Sequence, residues 1–176
     1  GEVNVGGNYI LSTNAPSFAG SVYTNRVYSR LYLNSGVLKA KNIVAYALNG
    51  EMGTMSVSFN GGTYAPTAAG TLGGLRENTL VVSTNGAVIT TANVPADGVY
   101  AIADPLVHDG TLVGADGGLV KEGAGTLALA ALNTYTGPTV VKAGTLRLMR
   151  DDVIDPSSAL VLDGGTFNLN NHHQVF

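Results

Sequence analysis

Cysteine and tryptophan are both absent from the 176 residues, and only 12% of positions are charged, about half the usual ~25%. Without cysteine there is no disulfide framework and no thiolate metal site. Nine Lys and Arg against twelve Asp and Glu leave a net charge of −3. The chain therefore lacks the basic surface that phosphate backbones require, which excludes nucleic acid as a partner. No apolar run approaches the ~18 residues of a membrane-spanning helix. Missing cysteine suits two settings: a reducing cytosol, or an exported chain that must stay unbridged while crossing a membrane. The chain starts at Gly1 and shows no signal peptide, so it reads as a piece of a longer protein.

Glycine, by contrast, is plentiful, with 24 residues or about twice the usual ~7%. Together with Thr, Asn and Val it indicates a β protein with many turns. The 45% hydrophobic content removes the chain from the disordered class. The glycines follow no three-residue period, which removes collagen.

One short unit recurs: Gly, then a small or β-branched residue, then an apolar one. It reads Gly36-Val37-Leu38-Lys39-Ala40, Gly62-Thr63-Tyr64-Ala65, Gly86-Ala87-Val88-Ile89-Thr90 and Gly110-Thr111-Leu112-Val113. Later copies are cleaner: Gly125-Thr126-Leu127-Ala128-Leu129, Gly144-Thr145-Leu146-Arg147-Leu148 and Gly165-Thr166-Phe167-Asn168-Leu169. Successive glycines lie 26, 24, 24, 15, 19 and 21 residues apart, a mean near 21–22 and within the range of solenoid repeats. Apolar and polar residues alternate in each late copy, so each predicts a short strand with one face inward. Second strands are expected over 139–142, 159–162, 80–83 and 56–59. Helical periodicity is poor. Its best window, residues 38–48, suits strands equally.

An antiparallel sandwich also has short strands and frequent turns. Repetition of one unit at one-turn spacing favours a β-solenoid, in which corresponding strands stack in parallel and bury a continuous apolar column. The expected fold is an all-β, right-handed parallel β-solenoid (β-helix) of about 7–8 rungs, open ended.

Residues 118–148 carry an ordered set of features: Gly118-Leu119-Val120-Lys121, Gly123-Ala124-Gly125-Thr126-Leu127, Asn133-Thr134-Tyr135-Thr136-Gly137, Thr139-Val140-Val141 and Ala143-Gly144-Thr145-Leu146. The set closely resembles the autotransporter-associated β-strand repeat, also called the passenger-associated transport repeat. The resemblance implies an autotransporter-like passenger: cell-surface or extracellular, exported through the outer membrane of a Gram-negative-type bacterium, with a translocator barrel absent from this chain. Within a single solenoid segment spanning 1–176, irregular rungs are expected over 1–34 and degenerate rungs over 35–117. The repeat covers 118–148, and a further, truncated rung covers 149–176. The residues expected to carry the repeat are Gly123, Gly125, Thr126, Leu127, Leu129, Asn133, Thr134, Tyr135, Gly137, Thr139, Val141, Gly144, Thr145 and Leu146. Thr and Asn at equivalent places can form ladders between turns. Asn133 is expected to close an Asx-turn, and Tyr135 to cover apolar surface with its hydroxyl in water.

Candidates for chemistry are few. Asp151, Asp152 and Asp155 could hold calcium or act as an acid/base pair, but they lack an EF-hand or β-roll pattern and read more simply as a solvated loop. Adjacent strand residues point to opposite faces, so His172 and His173 would not converge on one metal without a turn. His108-Asp109 is half of a hydrolytic triad at most, with no nucleophile elbow. The glycine pairs match no phosphate-binding motif. No catalytic residue, metal site or cofactor is assigned. Arg26, Tyr28, Arg30 and Tyr32 share parity and form a candidate binding patch for a glycan or protein.

The leading functional expectation is a non-catalytic structural segment: a stalk, fibre or adhesin scaffold that meets its own chain or neighbouring copies by rung stacking. A glycan- or protein-binding module is the alternative. A β-helix polysaccharide-cleaving enzyme shares the architecture and comes third, because fold alone does not set function.

Overall fold

The computed structural model describes residues 2–4, 8–11, 28–45, 54–73 and 79–176. These residues form no helix, and they wind through seven coils. The first coil contains β1 (Glu2–Asn4), β2 (Asn8–Leu11) and β3 (Tyr28–Leu33). The second contains β4 (Val37–Ala40), β5 (Asn42–Ala45) and β6 (Thr54–Phe59). The third contains β7 (Thr63–Pro66), β8 (Gly70–Leu72) and β9 (Thr79–Val82), and the fourth β10 (Ala87–Thr90), β11 (Val99–Ile102) and β12 (Leu106–His108). The fifth carries β13 (Leu119–Glu122) and β14 (Thr126–Leu129), the sixth β15 (Thr139–Val141) and β16 (Thr145–Leu148), and the seventh β17 (Leu160–Leu162) and β18 (Thr166–Asn168).

Strands of successive coils pair in parallel. The first face runs β1-β4-β7-β10-β13-β15-β17. The second runs β8-β11-β14-β16-β18, with the β2-β5 pair alongside β8. The third runs β3-β6-β9-β12. Below β12 the third face continues without regular strands. The Thr134 amide donates to the Leu106 carbonyl (2.9 Å), Asn133 N–H to Val153 O (2.9 Å) and Asp152 N–H to His173 O (3.0 Å). The expected parallel β-helix is observed, with backbone groups satisfied coil to coil.

Period-two alternation builds the core. Leu127, Leu129, Leu146 and Leu148 are fully buried, while Thr126, Thr145 and Thr166 stack outside in register. Tyr64 and Tyr100 cross the interior of the third and fourth coils, edge to face at 5.8 Å with their hydroxyls 2.7 Å apart. The Tyr100 hydroxyl donates to Asn42 Oδ1 (3.2 Å). Burial raises both phenols, Tyr100 to about 12, so both remain neutral donors. The expected Asn ladder lies at the corner entering the first face. Asn85 Nδ2 donates to Asn60 Oδ1 (3.0 Å), and Asn60 Nδ2 to Asn34 Oδ1 (3.4 Å).

The Gly-led unit does not mark one position of the coil. Gly36, Gly62 and Gly86 precede first-face strands, whereas Gly125, Gly144 and Gly165 precede second-face strands. Any corner entering a short strand demands compactness and then an inward apolar side chain, so the two corners look alike in sequence. Gly110-Thr111-Leu112-Val113, the copy between the two sets, is not a strand. It belongs to an exposed turn, with Val113 fully exposed. First-face register gives offsets of 35, 26 and 25 residues for the early coils (Glu2 to Val37, Val37 to Thr63, Thr63 to Val88). The offset rises to 32 (Ala87 to Leu119) and then settles at 20 and 21 (Leu119 to Thr139, Thr139 to Leu160). The regular period belongs to the last coils alone.

Candidate functional site

The densest buried polar network joins the fourth, fifth and sixth coils, within and beside residues 118–148. Asp116 ends the long connection from β12 to β13, and its side chain is fully buried. Its Oδ1 accepts the amides of Gly118 (2.9 Å) and Gly137 (3.0 Å). Its Oδ2 accepts the Thr136 amide (2.9 Å) and lies 2.8 Å from His108 Nδ1. Burial acts to raise this carboxyl. The Thr136 amide, the His108 ring and the Gly137 and Gly118 amides outweigh it and hold Asp116 below the ordinary carboxylate range.

A lowered folded value means that Asp116 stabilises the fold above its unfolded value near ~3.9, and that this contribution fades as pH falls through the folded value. Asp116→Asn turns an amide N–H₂ toward backbone donors. At neutral pH it should lower stability by about 2 kcal/mol. In paired thermal melts run downward from about pH 5, the gap between variant and parent should shrink as pH falls below the unfolded carboxylate value of ~3.9 and the parent loses its carboxylate. A gap that stays constant over this range would contradict a charged Asp116.

Lys121 faces inward from β13, between Ile89 above and Val141 below, and is fully buried. Its ammonium donates to the carbonyls of Glu122 (2.8 Å), Gly123 (2.7 Å) and Ala143 (2.9 Å). It thereby clips the β13–β14 corner to the corresponding corner of the next coil. Burial pushes it down to about 8, with the Glu122 carboxylate opposing.

Asn133 also spans three coils. Its Oδ1 accepts the Leu106 amide (2.9 Å) from above, and its Nδ2 donates to Val153 O (2.7 Å) below and to Ala131 O (3.1 Å). The expected Asx-turn is replaced by this bridge, because a buried amide must satisfy both its ends. Tyr135 departs from expectation in the same way. Its ring is fully buried and its hydroxyl lies 2.6 Å from Thr139 Oγ1, away from water. Burial raises this phenol. The chain of hydroxyls continues through Ser158, which donates to Gly137 O (2.6 Å).

The other repeat residues hold the frame. Gly123 and Gly144 turn the first-to-second-face corners at positive φ. Gly125 lies buried beneath Val94, and Thr134 is exposed.

The remaining candidates lie elsewhere. His108 pairs with Asp116 rather than with the adjacent Asp109, which accepts Ser83 Oγ (2.8 Å) and Thr111 Oγ1 (2.7 Å). Asp116 occupies His108 Nδ1, and among the described residues no hydroxyl sits on Nε2. The arrangement is therefore a structural pair and not a triad. Asn170 and Asn171 supply, at positive φ, the turn that the strand argument required, and it brings His172 and His173 together on Asp151. His172 Nδ1 lies 3.0 Å from Asp151 Oδ1, His173 Nδ1 lies 3.2 Å from Asp151 Oδ2, and His173 Nε2 lies 3.0 Å from Asp152 Oδ2. Asp155 instead accepts the amide and hydroxyl of Ser157. Among the described residues no group of three or more His, Asp or Glu could hold a metal ion. In the outer patch, Arg30 and Tyr32 are exposed on one face of β3. Tyr28 contributes backbone to that strand, and Arg26 lies outside the described residues.

Sequence reasoning missed Asp116 and the inward role of Lys121. A lone charge within a strict apolar alternation was the available signal for Lys121. Asp116 bonds locally to the Gly118 amide and to His108, but its burial depends on the Thr136 and Gly137 amides of the next coil, which no local pattern marks.

Residues 119–148 match the passenger-associated-transport-repeat family. An 89-residue stretch is 34% identical to the adhesin BmaC autotransporter of Brucella suis biovar 1 (strain 1330), covering 50% of this chain and 2% of that relative's length. No solved structure matches the chain. The chain thus carries an autotransporter passenger repeat, and that repeat and the adhesin likeness indicate export through the outer membrane to the cell surface or beyond.

Proposed function

We propose that this chain is a non-catalytic scaffold segment of an autotransporter passenger, and that residues 118–148 are its folding nucleus during export. One observation carries this reading: the buried polar bridges concentrate where coils five and six meet their neighbours. Asp116, Lys121 and Asn133 each tie backbone groups of more than one coil. The same coils have the shortest and most regular offsets, 20 and 21 residues, so closing them costs the least loop entropy. A solenoid can nucleate at one place and propagate coil by coil. An outer-membrane translocator elsewhere in the full-length protein would deliver the chain for this templating.

Deleting residues 118–148 from the full-length protein should lower its surface display several-fold. Deleting residues 63–87, one early coil with the 25-residue register preserved, should lower it much less. Equal display from both deletions would overturn the nucleus.

A second reading, a glycan- or protein-binding module, rests on the third face. There the exposed Arg30 and Tyr32 stack beside Ser56 and Ser58 and join a charged planar group to an aromatic ring on one rigid surface.

A further inference from the structure

We infer that the outer side of the first sheet pairs with the same side of a second copy, with the two solenoid axes running in opposite directions. Val88, Val120, Val140 and Val161 form one outward column over four consecutive coils, in strict register. The first three are half-buried by their neighbours, and Val161 is 44% exposed. On one side of this column the chain carries Gly86, Gly118, Pro138 and Ala159, so no long side chain rises above the valines. The result is a flat β-branched strip of the kind that packs sheet on sheet at ~10 Å.

On the other side stands a column of alternating charge. Glu122, Lys142 and Asp163 follow Thr90 down successive coils, and Lys142 Nζ lies 3.1 Å from Glu122 Oε1. This order selects the symmetry. A two-fold axis parallel to the solenoid and centred on the valines sets charges against glycine and alanine. Centred on the charges, it sets Glu122 against Glu122. A two-fold axis along the strands, between the fifth and sixth coils, lays valine on valine. It also sets Glu122 opposite Lys142 of the second copy, and Lys142 opposite its Glu122. Such isologous pairing is the common mode of homo-association. Four coils span only about 19 Å at the ~4.8 Å strand spacing, well short of the ~800 Å² per partner of a standard interface. Single contacts are therefore weak, and arrays of the chain on a surface hold through multivalency. This pairing does not depend on how the chain is exported.

The test is clustering of beads coated with the purified chain. Parent beads cluster. Beads carrying Glu122→Lys alone, or Lys142→Glu alone, stay dispersed, because each variant opposes like charges across the two-fold axis. Mixed together, the two variants cluster again, since the lysine introduced in one copy then meets the glutamate introduced in the other. Neither variant regains its internal ion pair, so the rescue reports contact between copies. Beads carrying Asp97→Lys or Arg150→Glu match those net charges at exposed positions outside the first-sheet strands, and they cluster as the parent does. The double variant Val120→Thr/Val140→Thr keeps the β-branched shape and weakens clustering several-fold. Single-variant beads that cluster like the parent, or a mixture that stays dispersed, would overturn the pairing.

Discussion

Replacing Lys121 with Met is expected to lower the thermal unfolding midpoint by roughly 6–12 °C, which corresponds to about 3 kcal/mol in a domain of this size. The side chain fills the same inward slot, so packing changes little. What is lost is the donor. Three carbonyls, from Glu122, Gly123 and Ala143, lose the ammonium that satisfies them, and they sit at a half-buried corner over the buried lysine stem. Hydrogen bonds to a charged group are worth about 1.5–3 kcal/mol each. The gain from no longer burying an ammonium offsets part of that loss. The pH dependence gives the prediction its sign. In the unfolded chain Lys121 keeps its proton up to about 10.5, and in the fold it releases it near 8. Between those values the unfolded state binds more protons, so parent stability rises with pH. The Met variant lacks this rise, and the gap between the two should widen from about pH 8 to about pH 10.5. Paired melts across this range check it. A gap that narrows with pH would mean that the carbonyls hold the charge more strongly than burial disfavours it.

The fold was legible in the sequence because its strongest determinant is local. Alternation at Thr126-Leu127-Ala128-Leu129 and Thr145-Leu146-Arg147-Leu148 assigns inward and outward sides without knowledge of any partner strand. Phase was less legible. The corners before β10 and β14 impose the same steric demand on different faces, and a glycine count cannot separate them. The insertion after β12 lengthens the fourth coil to 32 residues and hides the change of face inside an outwardly regular series. The buried network was the least legible part. Asn133 in isolation favours a turn, and only the stacking of Leu106 above and Val153 below converts it into a bridge. Tyr135 in isolation is amphipathic, and the Thr139 hydroxyl beneath it allows complete burial. His172 and His173 meet Asp151 only because two Asn residues turn the chain first. Thr139 lies only four residues beyond Tyr135, but for Asn133 and the histidines the missing information was the identity of the residue one coil away. That depends on coil length, and coil length varies by a dozen residues between the fourth and fifth coils.

Gly118→Ala should damage the fold as severely as any single substitution in the chain, while Gly110→Ala should be nearly silent. Gly118 opens β13 at φ +70°, a left-handed conformation that costs an L residue roughly 1–2 kcal/mol. Its carbonyl accepts the Ala87 amide (2.8 Å) from the coil above, and the next residue, Leu119, donates to Pro138 O (3.0 Å) in the coil below. A Cβ at Gly118 would collide with that same Pro138 oxygen and lie 2.6 Å from the Gly137 carbonyl carbon. These are backbone atoms of the adjoining coil, so no rotamer change relieves the overlap. The coils must separate, and separation breaks the Pro138 ladder bond together with the amides that Gly118 and Gly137 direct at Asp116. Strain, clash and stranded donors together place the loss at about 4 kcal/mol or more, in the range reserved for backbone and buried-network disruptions. Gly110 has open space around the same position, with nothing within 4 Å of a Cβ, and lies in the exposed turn of the long insertion. Denaturant unfolding of both variants beside the parent decides the matter. The expected outcome is a large fall in midpoint for Gly118→Ala and a change within about 0.5 kcal/mol for Gly110→Ala. A Gly118→Ala chain as stable as the parent would mean that the fourth, fifth and sixth coils are not packed at the spacing that the buried Asp116 requires.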